Sequence, residues 1–204
     1  MLQTQNLGAR RGDALLFSGL NLSVPPGTAL VIGGPNGSGK TTLLRILAGL
    51  SQPAEGALIW QGQRMRAFDV VLRGGTLFIG HVPALKDELT ALENLASLTR
   101  LHGAAASTEE LREALDLWAL GRQHALPARV LSQGQRRRVG LARLALVARA
   151  MWLLDEPATA LDDAGVATLR AAIATHLAGG GVAVIATHHE LSLPTAATRL
   201  LRLA

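Results

Sequence analysis

A glycine-rich segment, GGPNGSGKTTLLRILAGL, follows the apolar run TALVI at residues 28–32 and constrains the fold more than any other part of the chain. The apolar run predicts a buried strand and KTTLLRILAGL predicts a helix, so the glycines lie where the strand gives way to the helix. Glycine adopts backbone angles that other residues rarely reach, and such a loop can turn several N–H groups towards one point. The first helical turn adds free N–H groups and partial positive charge. The segment therefore predicts an anion site.

The spacing within this segment indicates which anion is bound. Gly34, Gly39, Lys40 and Thr41 satisfy the complete G-x-x-x-x-G-K-[ST] pattern of the P-loop. The pattern predicts that Lys40 reaches the β- and γ-phosphates of a nucleoside triphosphate, and that Thr41 completes the shell of a Mg²⁺ ion. The residues expected to bind the nucleotide here are Gly34, Pro35, Asn36, Gly37, Ser38, Gly39, Lys40, Thr41 and Thr42.

Length and composition limit what the rest of the chain can be. The 204 residues suffice for one core with at most a subdomain, and 49% hydrophobic against 17% charged residues indicates a globular protein. We expect a cytoplasmic protein, because no apolar run spans a membrane and the first residues lack a signal-peptide core. The net charge of +5 suits nucleic acid, an anionic membrane surface or an acidic partner. Because aromatic residues are only 3%, we expect no direct nucleic-acid contact. The densest basic run, Arg136–Arg138, is expected to form a solvated helix face.

Strand-like and helix-like segments alternate along the chain. Apolar runs predict strands at residues 15–24, 28–32, 56–62, 74–81, 151–157, 181–189 and 198–204. Periodic segments predict helices at residues 40–49, 89–103, 107–120, 132–150 and 164–177. This alternation predicts an α/β fold with a mainly parallel core sheet and an N-terminal antiparallel β portion. Ser107 and Glu110 have the spacing of a capping box.

An acidic pair follows the apolar run MWLL. Asp155 is placed at the carboxyl end of the predicted strand, where it can orient the Mg²⁺ shell of a P-loop site. Glu156 comes next and is placed to act as a base, or as a positioner, for an attacking water. Such a pair is weakly specific alone, since it can simply begin a turn before Pro157. Beside a complete P-loop it predicts nucleotide hydrolysis.

Three further stretches resemble motifs of the ABC ATPases. LDEPATALD, which ends at Asp162, resembles the joined Walker B motif and D-loop, and VIATHH places His188 where the family has its switch histidine. LSQGQ resembles the signature sequence, and its residues are Leu131, Ser132, Gln133, Gly134 and Gln135. In this order, and together with the P-loop, the motifs cover nearly the whole chain. The chain therefore resembles a P-loop NTPase of the ABC ATPase type.

This resemblance implies a domain organisation, a set of residue roles and a partner. Residues 1–204 would form a single ABC ATP-binding domain, with a helical subdomain at about 82–148 inserted in a RecA-like core. The implied roles are catalysis by Lys40, Glu156 and His188, metal contact by Thr41 and Asp155, and a D-loop at Asp162. The implied cofactors are ATP and Mg²⁺. The implied partner is a second copy of the chain, in a head-to-tail dimer in which each signature meets the ATP bound by the other copy.

Two positions depart from the usual ABC pattern. Arg11 stands where these subunits usually carry an aromatic residue that stacks on adenine, and a guanidinium plane can also stack on a base. His81 stands at the Q-loop position, where a glutamine is usual, and an imidazole can still bond a metal-bound water. The resemblance therefore assigns nucleotide binding to Arg11 and the Q-loop role to His81.

A narrower resemblance rests on LFSGLNLSV, IWQGQ, IGHVPALKDELTALENL and LSQGQRRRVGLARL. Together these stretches resemble the ATP-binding subunit of the cytochrome c maturation haem exporter, the CcmA family, which has the same Q-loop histidine. The resemblance implies membrane subunits of CcmB, CcmC and CcmD type, and a peripheral location on the cytoplasmic side of the bacterial inner membrane. No direct haem ligation is expected, because four other histidines are scattered: His102, His124, His176 and His189.

Alternative functions stay open at this point. The chain could be the ATPase subunit of another small-molecule or lipid exporter. A soluble ABC ATPase of DNA repair or translation is a further alternative, although such proteins usually carry tandem cassettes or a long coiled-coil insertion, and this chain has neither. The intact Lys40, Asp155, Glu156 and His188 oppose a non-hydrolysing regulatory module.

Overall fold

The computed structural model of the protein describes residues 1–188, 191–193 and 197–203. His189 and Ala204, which fall in predicted strands, lie outside the described residues. The chain divides into two compact units: unit 1 is Met1–Phe78, Arg149–Glu156 and Ala174–Ala204, and unit 2 is Ile79–Ala148 and Pro157–Ile173. Among the described residues, no helix combines the length and apolar character that crossing a membrane requires.

The strands and helices alternate as follows. The strands are β1 (Leu2–Arg11), β2 (Ala14–Val24), β3 (Ala29–Gly33), β4 (Glu55–Trp60), β5 (Gln63–Met65), β6 (Thr76–Ile79), β7 (Met151–Asp155), β8 (Val182–Ala186) and β9 (Thr198–Arg202). The helices are α1 (Lys40–Leu47), α2 (Val70–Gly74), α3 (Ala91–Leu101), α4 (Thr108–Leu117), α5 (Gln133–Leu141), α6 (Arg143–Leu146) and α7 (Asp163–Ala178), with a 3₁₀ turn at Ala128–Val130.

The strands form two sheets. The core sheet has the order β6-β7-β8-β3-β9, and β7 with β8, β8 with β3, and β3 with β9 are parallel pairs. The second sheet has the order β2-β1-β4-β5, and its neighbouring strands are antiparallel. The predicted α/β fold, with a mainly parallel core sheet and an N-terminal antiparallel portion, is confirmed.

The core sheet is stabilised by continuous apolar strands. Every residue of β7 and β8 is buried, as expected for interior strands of a parallel sheet. Leu43 and Leu47 of α1 join Leu153 of β7 in one core cluster, and burying such a side chain stabilises the fold by about 1.5–3 kcal/mol. Because β3 and β7 both pair with β8 in parallel, their carboxyl ends lie at the same edge of the sheet. Gly33 at the end of β3 and Asp155 at the end of β7 therefore lie at the same edge of the core sheet, with β8 between their strands.

Several predicted boundaries are wrong. The single helix predicted over residues 132–150 is instead α5 and α6, and it ends at Leu146 because Val147 turns to an extended backbone that leads towards β7. The strand predicted to end near His81 ends at Ile79, since the carbonyls of Gly80 and His81 bond to the side chain of Arg137. Strands β1 and β5 and helix α2 were missed, because β1 alternates imperfectly and the other two are short.

Side-chain capping sets where the helices of unit 2 begin. The Ser107 Oγ accepts from the Glu110 N–H, and the Glu110 carboxylate accepts from the Ser107 N–H, so the predicted capping box is confirmed. Thr90 and Glu93 form a second box at the start of α3. The same bonds lower the pKa of Glu110 and of Glu93, because they favour the charged carboxylate.

Candidate nucleotide site

The loop between β3 and α1 has the backbone that only glycine tolerates easily. Gly34, Gly37 and Gly39 have φ values of +141°, +88° and +95°. A Cβ added at Gly34 would lie 2.4 Å from the carbonyl oxygen of Leu203, so a side chain there is excluded by contact as well as by backbone angle. No side chain of the described residues caps α1. The N–H groups of its first turn, which holds Lys40, Thr41 and Thr42, are therefore left without a side-chain cap.

Buried polar groups beside this loop test whether it fits a phosphate chain. Lys40 is buried, and its Nζ donates to the carbonyl oxygens of Gly34 at 2.7 Å and Pro35 at 2.9 Å. The Ser38 Oγ is also buried and has no hydrogen-bond partner among the residues that the structure describes. Burying a cation and an unsatisfied hydroxyl is unfavourable unless an anion is bound beside them. The loop fits a phosphate chain.

A hydroxyl and a carboxylate meet at the first turn of α1. The Thr41 Oγ1 donates to the Asp155 Oδ2 at 2.9 Å, and Asp155 is only 3% exposed. Both groups offer hard oxygen ligands of the kind that Mg²⁺ prefers. Among the described residues, no group of three or more acidic, histidine or cysteine side chains is arranged to hold a metal ion by itself. Mg²⁺ is usually held by one or two protein oxygens, phosphates and water, and this pair fits that pattern.

Glu156, His188 and Asn36 form the other polar cluster of the loop region. Glu156 has a left-handed backbone, φ +48°, and its N–H donates to the carbonyl of Ala186 at 2.8 Å. The His188 N–H donates to the Glu156 Oε2 at 3.3 Å. The His188 Nε2 lies 3.0 Å from the Asn36 Oδ1 and 3.5 Å from the Glu156 Oε1. The structure therefore brings residues of three separate predicted motifs into one cluster.

The LSQGQ segment lies in unit 2 and begins α5. Ser132 is its N-cap: the Ser132 Oγ accepts from the Gln135 N–H at 3.2 Å, and the Gln135 Oε1 accepts from the Ser132 N–H at 2.9 Å. Leu131 is buried beneath, whereas Ser132 and Gln133 are exposed. A Cβ added at Gly134 would lie 2.6 Å from the carbonyl oxygen of Ala160. The glycine is therefore required by a close approach of two backbones.

Asp162 and His81, also in unit 2, are both exposed. The Asp162 Oδ1 accepts from the Gly165 N–H at 2.8 Å and forms a short ion pair with Arg138. The Gly165 N–H and then the Arg138 guanidinium hold the pKa of Asp162 below its ordinary value. His81 lines a cavity of about 270 Å³ together with Gln133 and Ala160.

Comparison with known proteins decides the family. The ABC transporter family model matches residues 17–159 of the chain. The chain belongs to the ABC transporter family.

Its similarity to curated members of this family extends nearly end to end. The chain is 47% identical to the cytochrome c biogenesis ATP-binding export protein CcmA 2 of Cupriavidus metallidurans, over 94% of the chain and 90% of that protein. It is 49% identical to the CcmA protein of Aromatoleum aromaticum, over 93% of the chain and 89% of that protein. The predicted resemblance to the CcmA family is confirmed.

A solved ABC cassette shares the fold. MJ0796, in a dimeric post-hydrolysis state bound to ADP and Pi, matches with a TM-score of 0.82 and 26% identity over 100% of this chain and 94% of that one. The core sheet and the antiparallel sheet described above are therefore those of an ABC ATPase.

The burial of Arg137 differs from what the sequence predicts. Arg137 is 3% exposed, so the expectation that Arg136–Arg138 is a solvated face is wrong at its centre. The Arg137 guanidinium donates to the carbonyls of Gly80 at 2.8 Å, His81 at 3.1 Å and Pro157 at 3.2 Å. Arg137 precedes the apolar Leu141 and Leu144 at the i, i+4, i+7 spacing of one helix face, and this spacing is a sequence signal that Arg137 faces inward.

Arg11 lies at the exposed end of β1, in the hairpin that leads to β2. Two other residues from this part of the sheet lie close to Gly39: a Cβ added there would lie 3.1 Å from a ring carbon of Phe17 and 3.2 Å from the Leu16 Cβ. Phe17, which the sequence alone did not single out, thus packs against Gly39, the residue that precedes α1. Arg11 keeps its assignment as a prediction.

Proposed function

We propose that the chain is the ATP-binding and hydrolysing subunit of an ABC transport system for cytochrome c maturation, the haem exporter or haem-chaperone release complex. The observation that carries the proposal is the cluster at the P-loop, where Lys40, the Thr41–Asp155 pair and the Glu156–His188 pair meet. The near end-to-end identity with two export proteins named CcmA supports the choice of transport system.

In this proposal the P-loop binds ATP through its backbone and Lys40. Residues 34–42 surround the phosphates, and the buried Lys40 ammonium and Ser38 hydroxyl bond to phosphate oxygens. Thr41 and Asp155 would hold Mg²⁺, and the bound ion would supply positive charge that offsets the charge of the phosphates. Arg11, on its hairpin, contacts the base.

Glu156 is proposed as the base and His188 as its companion. The left-handed backbone of Glu156 turns its carboxylate towards His188, whose N–H holds the Oε2 at 3.3 Å. A carboxylate fixed in this way can orient a water and accept its proton. The Nε2 of His188, 3.0 Å from the Asn36 Oδ1, is placed at the loop that holds the phosphates.

A second copy of the chain is proposed to complete each site. Ser132 and Gln133 are exposed at the start of α5, where bare N–H groups and a hydroxyl suit an anion. In a head-to-tail dimer this segment, Leu131–Gln135, would meet the ATP of the partner copy, and Asp162 would lie at the interface as D-loop. The dimeric state of the MJ0796 cassette supports the proposal of a dimer.

The remaining parts of the proposal concern the membrane. Residues 82–148 are proposed to act as a helical subdomain that docks membrane subunits of CcmB, CcmC and CcmD type on the cytoplasmic side of the inner membrane. His81, at the chain entry to this segment, is proposed to link metal occupancy to the position of those subunits. His81→Ala should impair c-type cytochrome formation while ATP binding persists, and His81→Gln should retain much of it. Full maturation with the alanine variant would remove His81 from the mechanism.

The decisive test of hydrolysis is Glu156→Gln, with Glu113→Gln on the exposed face of α4 as the matched control. The Glu156 variant should bind ATP but nearly lose turnover, because an amide cannot accept the proton. It should also sediment as a dimer with ATP and as a monomer with ADP. The control variant should match the parent in both assays. Turnover at the parental rate in Glu156→Gln would refute the assignment of the base.

The transport system is tested separately, by purifying the native complex from membranes. We expect membrane subunits of the cytochrome c maturation system to accompany the chain. Subunits of another small-molecule or lipid exporter would overturn the choice of system and leave the ATPase assignment standing.

A further inference from the structure

A short segment of unit 1 presents large apolar side chains to solvent. In the segment Arg64–Arg73, Phe68 is 59% exposed, Val70 is 81% exposed and Val71 is 59% exposed. These three residues lie within four positions of one another along the chain and form one sequence-local group. Isolated exposed apolar residues are ordinary, but a contiguous group marks a site of interaction.

The backbone holds these side chains outward. Phe68 has φ +64°, a conformation that a bulky residue rarely adopts, and its N–H donates to the carbonyl of Gly49 at 2.7 Å. Asp69 caps α2 through its Oδ1, which accepts from the N–H of Val71 at 2.8 Å and of Leu72 at 3.3 Å. Leu72 is fully buried and anchors the helix. The exposure of Phe68, Val70 and Val71 is therefore built into a tied-down turn.

The same segment is strongly basic. Arg64, Arg66 and Arg73 are exposed, and none of them forms an ion pair with any other described residue. Asp69 is the only acid between residues 56 and 75, and its Oδ1 is engaged by the backbone of α2. Arg64 and Arg66 also line a concavity of about 530 Å³, together with Met65 and Ala67. Unpaired arginines at an open concavity favour an anionic, phosphate-bearing partner.

We propose that the segment Arg64–Arg73, here named the basic–apolar patch, binds the surface of a bilayer that contains anionic phospholipids. Its arginines would contact lipid phosphates, and Phe68, Val70 and Val71 would enter the boundary between headgroups and acyl chains. The arginines are complementary in charge to lipid phosphates, and along the chain they flank the apolar side chains that would enter the bilayer boundary. The patch lies outside the nucleotide site, so this inference is independent of the proposed hydrolysis.

The charge component is tested with vesicles and the full chain. A sedimentation assay compares binding to two kinds of vesicle: phosphatidylcholine with about 30% phosphatidylglycerol by mole, and pure phosphatidylcholine. The first kind presents an anionic surface like that of a cytoplasmic leaflet. Each arginine near an anionic surface contributes roughly fivefold to binding, so Arg64→Gln, Arg66→Gln and Arg73→Gln together should weaken it about a hundredfold. The matched control neutralises three exposed arginines of unit 2: Arg100, Arg122 and Arg129.

The apolar component is tested with Val70→Ser and Val71→Ser, which should weaken vesicle binding severalfold while ATP hydrolysis stays at the parental rate. Binding that falls with added salt and with the patch variants, but not with the control, supports the proposal. Equal loss in the control would show a charge effect without a site and overturn it. Failure of the parent to bind the anionic vesicles would also overturn it, and if the valine variants then reduced recovery of membrane subunits, the patch would be a protein-docking face.

Discussion

Two glycines of α5 allow one backbone contact to be weighed against an internal control. Gly134 and Gly140 lie in the same helix, and both have ordinary backbone angles. A Cβ at Gly134 would lie 2.6 Å from the carbonyl oxygen of Ala160, whereas the nearest atom to a Cβ at Gly140 is the Pro83 Cβ at 3.8 Å. The first distance requires the backbone to move, and the second is ordinary contact.

The expected magnitudes follow from this difference. Replacing glycine by alanine in a helix gains about 0.5–1 kcal/mol, so Gly140→Ala should raise the free energy of unfolding by that amount. Gly134→Ala gains the same term but forces an overpacked contact that costs about 1–3 kcal/mol. Ala160 itself has φ +64°, so its loop has little freedom to retreat. The free energies of unfolding of the two variants should therefore differ by about 1–3 kcal/mol.

Urea unfolding of both variants, followed by tryptophan fluorescence, measures this difference. With a slope of about 2 kcal/mol per molar urea, the two midpoints should be separated by roughly 0.5–1.5 M. Equal midpoints, or a more stable Gly134→Ala, would refute the contact as the reason for glycine in the signature segment. An unchanged slope in both variants would show that only stability has changed.

The remaining predictions concern buried side chains. Burial lowers the pKa of His176, so as the pH falls below about 6.5 the unfolded chain takes up the proton before the folded chain does. The contribution of His176 to the free energy of unfolding should therefore be complete above about pH 6.5 and should decline below it. Urea titrations at about pH 7.5 and 5.5 should show this decline in the parent, and His176→Phe should remove it. Arg137→Met should lower the free energy of unfolding by about 1–3 kcal/mol for each carbonyl left without a partner, those of Gly80 and Pro157 among them, while Arg112→Met on an exposed helix face should change it by less than about 0.5 kcal/mol. A pH-independent parent, or equal losses in the two arginine variants, would contradict these expectations.

The conformation of the loop between β3 and α1 could be predicted from the sequence because its geometry is local. Backbone angles above 0° at Gly34 and Gly39, a lysine and a hydroxyl at fixed spacing are all set within one loop and one helical turn. The capping box of Ser107 and Glu110 is equally local, since its partners are three residues apart. The alternation of strands and helices predicted the α/β class for the same reason, because periodicity is a property of the segment itself.

Boundaries and burial were less accessible to prediction. The apolar residues of 143–150 fit a helix as well as the approach to a buried strand, and only the position of β7 in the sheet decides between them. Strand β1 owes its existence to two neighbours, β2 and β4, that are distant along the chain. Such pairings supply the hydrogen bonds that its own sequence pattern does not announce.

By itself the sequence determined the family, the P-loop and the acidic pair at the strand end, because each is a short pattern whose residues act on one another at fixed spacing. Only the tertiary structure decided that Asp155 bonds to Thr41, that His188 lies between Glu156 and Asn36, and that Arg137 is buried among three carbonyls. These residues are separated by between 20 and 152 positions, and no local propensity brings them together. Their positions follow from the parallel order of the core strands and from packing, which depend on the whole chain at once.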